Sequence, residues 1–174
     1  EALIRRTAAT NIFVPDMERL TKLVTPVLYD PVKTVRIEAA SRLSGEMAKL
    51  LVNDQKEVFE TVLQEYITAM EYSADFAASR HNLANLYNET ARPEDAVKQY
   101  EEAIRIDNRF FPAKMNLAVL YSQRGQNEKA ERLLREIVRD EPDLYDAAYS
   151  LGLLLVEMQN YQEAITYLEK ASRG

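Results

Sequence analysis

Apolar residues recur along this chain at intervals of three and four, the spacing that lines one face of an α-helix. Leu20, Leu23 and Val24 form one such set, and Val35, Ala39 and Leu43 another. A longer set, Val58, Val62, Tyr66, Ala69 and Met70, follows. The pattern predicts a helix through residues 1–11 with Leu3, Ile4 and Ala8 on one face. Asp16 is placed to cap a second helix reaching about Thr25. A third runs over 32–43 with Pro31 in its first turn. Ser44-Gly45 begins a connector, and Asp54 with Glu57 forms a capping box for a helix over 55–72.

Beyond residue 77 the apolar sets come in pairs that return at a fixed interval of 34. Ala96 is followed by Ala130 and Ala164, Tyr100 by Leu134 and Leu168, and Leu83 by Leu117 and Leu151. Tyr87, Tyr121 and Leu155 keep the interval, as do Ala84, Ala118 and Gly152. A period near 34 with helical spacing inside each unit resembles the tetratricopeptide repeat. The resemblance implies three units, 77–110, 111–144 and 145–174, each a helix A, a turn and a helix B. Pro93 suits the start of a helix B, Gly125 a turn, and Pro142 the passage to the third unit. Stepping back by 34 from Ala96, Tyr100 and Ala103 lands on Val62, Tyr66 and Ala69, so residues 53–76 read as a degenerate helix B. Its helix A, near residues 43–53, departs from the pattern, with Lys49 where Leu is expected.

A second echo runs through the first 43 residues at an interval of 31. Ile4-Arg5 and Ala8-Ala9 correspond to Val35-Arg36 and Ala39-Ala40. The run DPVKTVRIEAA resembles the second helix of a HEAT repeat, which implies that Asp30 and Arg36 belong to a structural ladder between neighbouring units. The expected fold is an all-α, right-handed helical-repeat solenoid. It comprises a HEAT-like segment over 1–52, a junction helix over 53–76 and three tetratricopeptide units over 77–174.

Charge narrows the partners. The chain carries 22 Lys and Arg against 28 Asp and Glu, a net charge of −6, which disfavours phosphate backbones and hence nucleic acid. Residues 1–43 hold seven cations and five acids, and the remainder is the acidic part. With no cysteine there is no disulfide, thiolate metal site or covalent haem attachment. No apolar run approaches the ~20 residues of a membrane span. The sequence opens at Glu1 without a Met or a signal-like segment, so a piece of a longer protein is expected. The succession DPVKTVRIEAA, EYITAM, NLANLY resembles the C-terminal portion of bacterial multihaem c-type cytochrome proteins. That resemblance implies a periplasmic location, and without it the cytoplasm is expected.

Tetratricopeptide units bind extended peptides along the face lined by their A helices. By resemblance, the lining positions here include His81, Asn82, Asn85 and Glu89, then Met115, Asn116, Val119 and Gln123, then Asp146, Tyr149, Ser150 and Leu153. Ala78, Pro112 and Glu157 complete the lining. Asn82 and Asn116 resemble the asparagine ladder of the O-GlcNAc transferase superhelix, whose amides bond a peptide backbone irrespective of its side chains. They also fit amides that bridge helices or face water. Met115, Val119, Tyr149 and Leu153 offer an apolar floor for anchors, or packing beneath a neighbouring helix. The chaperone-tail clamp of co-chaperones carries Lys, Asn, Asn, Lys and Arg where this chain has His81, Asn85, Asn116, Asp146 and Ser150. Without those cations a terminal carboxylate finds no partner. His81, the single histidine, makes neither a metal site nor a triad alone, though it could tune binding with pH.

GxGxxG, GxxxxGK[ST], HExxH and GxSxG are all missing, and Glu101-Glu102 diverge around their helix. A non-enzymatic scaffold without cofactor is expected, holding a protein or peptide segment in the groove. The alternatives are an assembly module, self-associating through Tyr161–Ser172, and an arm presenting substrate to a larger cytochrome- or glycosyltransferase-like protein.

Overall fold

A computed structural model describes residues 1–173, and among these every regular element is helical. Gly174, the end of the third unit read from the sequence, lies outside them. The α-helices are α1 (Ala2–Asn11), α2 (Met17–Val24), α3 (Lys33–Leu43), α4 (Asn53–Tyr72), α5 (Ala77–Glu89), α6 (Pro93–Ile106), α7 (Phe111–Gln123), α8 (Asn127–Asp140), α9 (Tyr145–Glu157) and α10 (Tyr161–Ala171). Two 3-10 segments, Thr25–Tyr29 and Gly45–Leu50, interrupt the series. The chain forms two compact units, one of residues 1–75 and 82–96, the other of 76–81 and 97 onward.

In the first unit α3 packs against both α1 and α4, with α2 and the Thr25–Tyr29 turn laid against it. Leu20, Val24, Leu28, Val35, Ala39, Leu43, Phe59 and Val62 are buried there. Each large aliphatic chain so buried contributes about 1.5–3 kcal/mol. The Asp16 side chain accepts the Arg19 amide at 2.7 Å, capping α2 as its position predicts. Charged pairs tie successive helices. Arg5 Nε donates to Asp30 Oδ2 at 2.6 Å, and Arg36 donates through Nε and Nη2 to both Glu65 oxygens at 2.8 and 2.9 Å. Asp30 also accepts the Val32 amide at 2.9 Å. Its hydrogen bond from Arg5, seconded by that amide, holds its carboxyl below the usual range. Arg36 does the same for Glu65. Asp30 and Arg36 are thus structural, but Asp30 meets Arg5 and Arg36 meets Glu65.

Several local expectations need correction here. Leu3, Ile4 and Ala8 face solvent, and Ala9 takes the buried position of α1. Leu23 is exposed, because the buried strip of α2 runs Leu20–Val24 and continues into Leu28. Pro31 precedes α3 rather than opening it, since Val32 is the N-cap. α4 begins at Asn53 without the Asp54–Glu57 box; instead the Gln55 side-chain oxygen accepts the Val52 amide at 3.1 Å.

In the second unit α7 packs on α8, α8 on α9, and α9 on α10. Leu117, Ala118, Tyr121, Ala130, Leu134 and Ile137 are buried, as are Leu151, Gly152, Leu155 and Ala164. The small residues allow close helix approach. Helix α8 is tied to α10 by Arg135, which donates to both Glu163 oxygens at 2.6 and 2.7 Å and to Glu131 at 2.7 Å. Arg135 holds the Glu163 carboxyl below its ordinary range. The paired acids Glu101 and Glu102 do diverge: Glu101 accepts from Tyr121 at 2.9 Å, and Glu102 pairs with Arg105 at 2.8 Å. Burial, aided by Glu101, pushes the Tyr121 phenol up to about 12.

The turn after each A helix is built alike. Ala91, Gly125 and Gln159, again 34 apart, all have positive φ, at 56°, 69° and 61°. The following amides of Arg92, Gln126 and Asn160 each donate to the carbonyl five residues back, on Tyr87, Tyr121 and Leu155, at 2.8 Å. The amides of Ala91, Gly125 and Gln159 bond three residues back. This is the Schellman closure, which satisfies the final carbonyls of a helix.

Candidate peptide-binding groove

Helices α7 and α9 carry the central part of the expected lining. Leu117, Ala118 and Tyr121 point α7 into the core, and Leu151, Gly152 and Leu155 do so for α9. Residues on the opposite faces are left to solvent by the 3.6-residue period. Val119, Tyr149 and Leu153 are 48%, 53% and 48% exposed, and Gln123 and Asp146 are exposed too. Val119, Gln123, Ser150 and Leu153 line one cavity of about 220 Å³ together with Ser122, Leu154 and Glu157. Its floor is apolar and its rim polar. The Ser122 hydroxyl donates to Glu157 Oε2 at 3.4 Å, linking α7 to α9 across the cavity.

Met115 and Asn116 are half-buried one turn earlier on α7. The Asn116 amide nitrogen lies 3.1 Å from His81 Nε2, so the imidazole accepts the bond when that nitrogen is unprotonated. His81 also packs against the rings of Tyr100 and Phe110, with centroids 5.9 and 5.5 Å away. It is therefore an anchored side chain that positions an amide.

The remaining expected residues lie in the first unit. Asn85 is half-buried. Asn82 is exposed beside a cavity of about 350 Å³ shared with Arg6, Thr34, Glu38, Ser41, Tyr66 and Met70. Glu89 accepts from the Ser44 hydroxyl, so its carboxylate holds the connector at Gly45.

Ser122 and Leu154 line the cavity without being expected there from the sequence, and Lys114, elsewhere on α7, is a further unexpected feature. Ser122 joins the cavity although position 122 is Asn88 and Val156 in the neighbouring units, so no repeated signal marks it. Lys114 is fully buried, its Nζ donating to Glu136 at 3.1 Å. A signal existed there, because the matching position holds Arg80, half-buried and donating to Gln99 at 2.8 Å. Among the described residues, no helix is long and apolar enough to cross a membrane, and no group of three or more His, Cys, Asp and Glu could hold a metal.

Comparison with known proteins bears on the same region. The tetratricopeptide-repeat family profile matches residues 91–154, and a second tetratricopeptide profile matches 145–173. No curated protein sequence matches the chain. Among solved structures it is similar to YrrB, a tetratricopeptide protein with an unusual peptide-binding site, at 16% identity and a TM-score of 0.58, covering 98% of this chain and 84% of that one. It is similar also to tetratricopeptide-like repeats assigned to a Podosopora anserina kinesin light chain, at 17% identity and a TM-score of 0.62, covering 99% and 92%. MamA matches at 16% identity with a TM-score of 0.56, over 90% of this chain and 75% of MamA. At such identities the likeness speaks for the fold, and it agrees with the all-α helical-repeat class. Residues 91–173 of this chain are tetratricopeptide repeats.

Proposed function

We propose that this protein is a binding scaffold that holds an extended peptide segment of a partner along α7 and α9. The observation that carries this reading is the cavity under Val119 and Leu153. There two half-exposed aliphatic side chains adjoin the Ser122 and Ser150 hydroxyls and the Glu157 carboxylate. Aliphatic anchors drop into such a floor, while the rim groups and the Asn116 amide bond the peptide backbone. Asp146 and Glu157, in a chain of net charge −6, favour a peptide with Lys or Arg beside its apolar anchor. The peptide-binding site named for YrrB lends support by likeness of fold. The residues here play no catalytic part.

Peptides selected from a random display library test it. Those retained should contain an aliphatic residue near a basic one. They should bind Leu153→Asp and Asn116→Ala about tenfold or more weaker than the unaltered protein, a loss of ~1.4 kcal/mol. Ile165→Asp, on α10, should leave binding unchanged. Equal affinity for all three variants would remove the groove from the account.

Tyr161 and Ile165 of α10, 58% and 53% exposed, favour a second reading as an assembly surface. Light scattering over a range of concentrations separates the two, because only assembly raises the mass and loses that rise in Ile165→Asp.

A further inference from the structure

Tyr87 and Tyr121 hold the same place in neighbouring repeats, and both are buried, at 9% and 7% exposed. The Tyr121 hydroxyl donates to Glu101 at 2.9 Å. The residue 34 before Glu101 is Ile67, which offers no acceptor. The Tyr87 hydroxyl is left without a hydrogen-bond partner among the described residues. Its ring is fixed on one face by Arg92, stacked 4.3 Å from the centroid and held by Asp95 at 2.7 Å. A polar group taken from water and left unpaired is destabilising, so this phenol has a donor to offer.

Tyr87 lines a cavity of about 490 Å³ whose other lining residues lie in the same compact unit. A shortened repeat creates it. Counted back by 34, the place of α5 falls on residues 43–55, where the chain makes only the 3-10 segment Gly45–Leu50. That segment has six residues against the thirteen of α5, α7 and α9, and it buries none of its side chains. Phe59, Leu63 and Ile67 of α4, with Leu86 of α5, therefore wall a cavity instead of packing under a full helix. Charge at the cavity is unequal. Lys49 is paired with Glu46, and Arg92 with Asp95. Glu60 has no ionic partner among the described residues, and Glu89 takes the hydroxyl hydrogen of Ser44 alone. Glu89 also ends α5, where the helix dipole favours a cation.

We propose that this cavity is a binding site for a small amphipathic amine. The apolar body lies on Phe59, Leu63, Ile67 and Leu86. The ammonium faces the Glu60 and Glu89 carboxylates, and an oxygen of the ligand accepts the hydrogen bond that Tyr87 has to give. The volume falls within the roughly 300–1,000 Å³ of sites for small organic molecules. The balance of charge sets the sign of the ligand, because an anion would meet Glu60 and Glu89 and find both cations already engaged. The cavity shares no lining residue with the one on α7 and α9, so the proposal does not rest on the peptide groove.

The test titrates the full chain with three probes of one shape, read by methyl NMR at neutral pH. They are tyramine, a cation; tyrosol, the neutral alcohol; and para-hydroxyphenylacetate, an anion. Tyramine should give saturable shifts at Leu63, Ile67 and Leu86, with an affinity about tenfold above that of the anion and tyrosol between them. Glu60→Gln, at an exposed position, should weaken tyramine about threefold and leave tyrosol unchanged. Tyr87→Phe should weaken tyramine and tyrosol alike, by about threefold. Circular dichroism melting checks that both variants fold. If Tyr87→Phe does not, Ile67→Gln gives the phenol an internal acceptor and should weaken the same two probes. Absence of saturable shifts with tyramine, binding of the anion as tight as that of the cation, or unchanged tyramine affinity in either variant overturns the proposal. So do shifts confined to Val119 and Leu153.

Discussion

Gly152 occupies the position filled by Ala84 and Ala118 in the preceding units, and the difference has a local cause. A Cβ at residue 152 would lie 2.7 Å from Cγ and Cδ2 of Leu168 and 3.3 Å from its backbone nitrogen. Overpacking of this kind costs about 1–3 kcal/mol, more than the ~1 kcal/mol that alanine gains over glycine inside a helix. Gly152→Ala should therefore lower unfolding free energy by about 1 kcal/mol in urea titration. Ala118→Gly should lower it as well, by loss of helix propensity. The small-residue row was legible from the interval of 34, but the reason for glycine needed Leu168 in place. Lys114 shows the converse. The cation at the matching position, Arg80, marks the site in the sequence, but its burial and its pairing with Glu136 appear only in the fold.

The helices themselves were legible wherever a strong apolar period met a repeat. Departures fell on the face of α1 and at the ends of α2, α3 and α4, where a 3-10 turn or an unusual cap changes the phase. Simple helical spacing puts Leu23 inward, yet the passage into Thr25–Tyr29 lets Leu28 complete the strip begun by Leu20 and Val24. The turns were half legible: Gly125 announced its left-handed backbone, whereas Ala91 and Gln159 adopt the same geometry with nothing in their identity to show it. A residue with a Cβ pays about 1–2 kcal/mol for that conformation. Ala91→Gly and Gln159→Gly should then each raise the midpoint of thermal unfolding, and Gly125→Ala should lower it, as calorimetry would record. The inter-helix ion pairs add a pH dependence. Glu65 and Glu163 are held below the ordinary carboxylate range by Arg36 and Arg135. Their contribution is present above ~pH 4.3 and is lost as pH falls through the lowered values. Melting temperature should decline through that acid range, and Glu163→Gln should flatten the decline by removing one titrating carboxylate.

For the whole molecule, the repeat architecture was readable because each unit must bury the same positions against its neighbours. The candidate groove was less so, because its lining residues are defined by what the repeats leave uncovered. Val119, Tyr149 and Leu153 lie open on α7 and α9, with Ser150 half-buried among them, as the repeat register requires. Glu89, by contrast, is drawn to Ser44, a residue outside its repeat, and Asn116 meets a histidine that no interval of 34 predicts as its partner. Surface residues answer to individual neighbours, and those vary from unit to unit. The most direct test of a groove on α7 and α9 is methyl and side-chain amide NMR during titration with a library-selected peptide. The account predicts chemical-shift changes at Val119, Leu153 and the Asn116 amide, with Leu134 responding through the cavity floor and Ile165 unmoved. Changes centred on Ile165 and Tyr161, with Val119 and Leu153 silent, would contradict it.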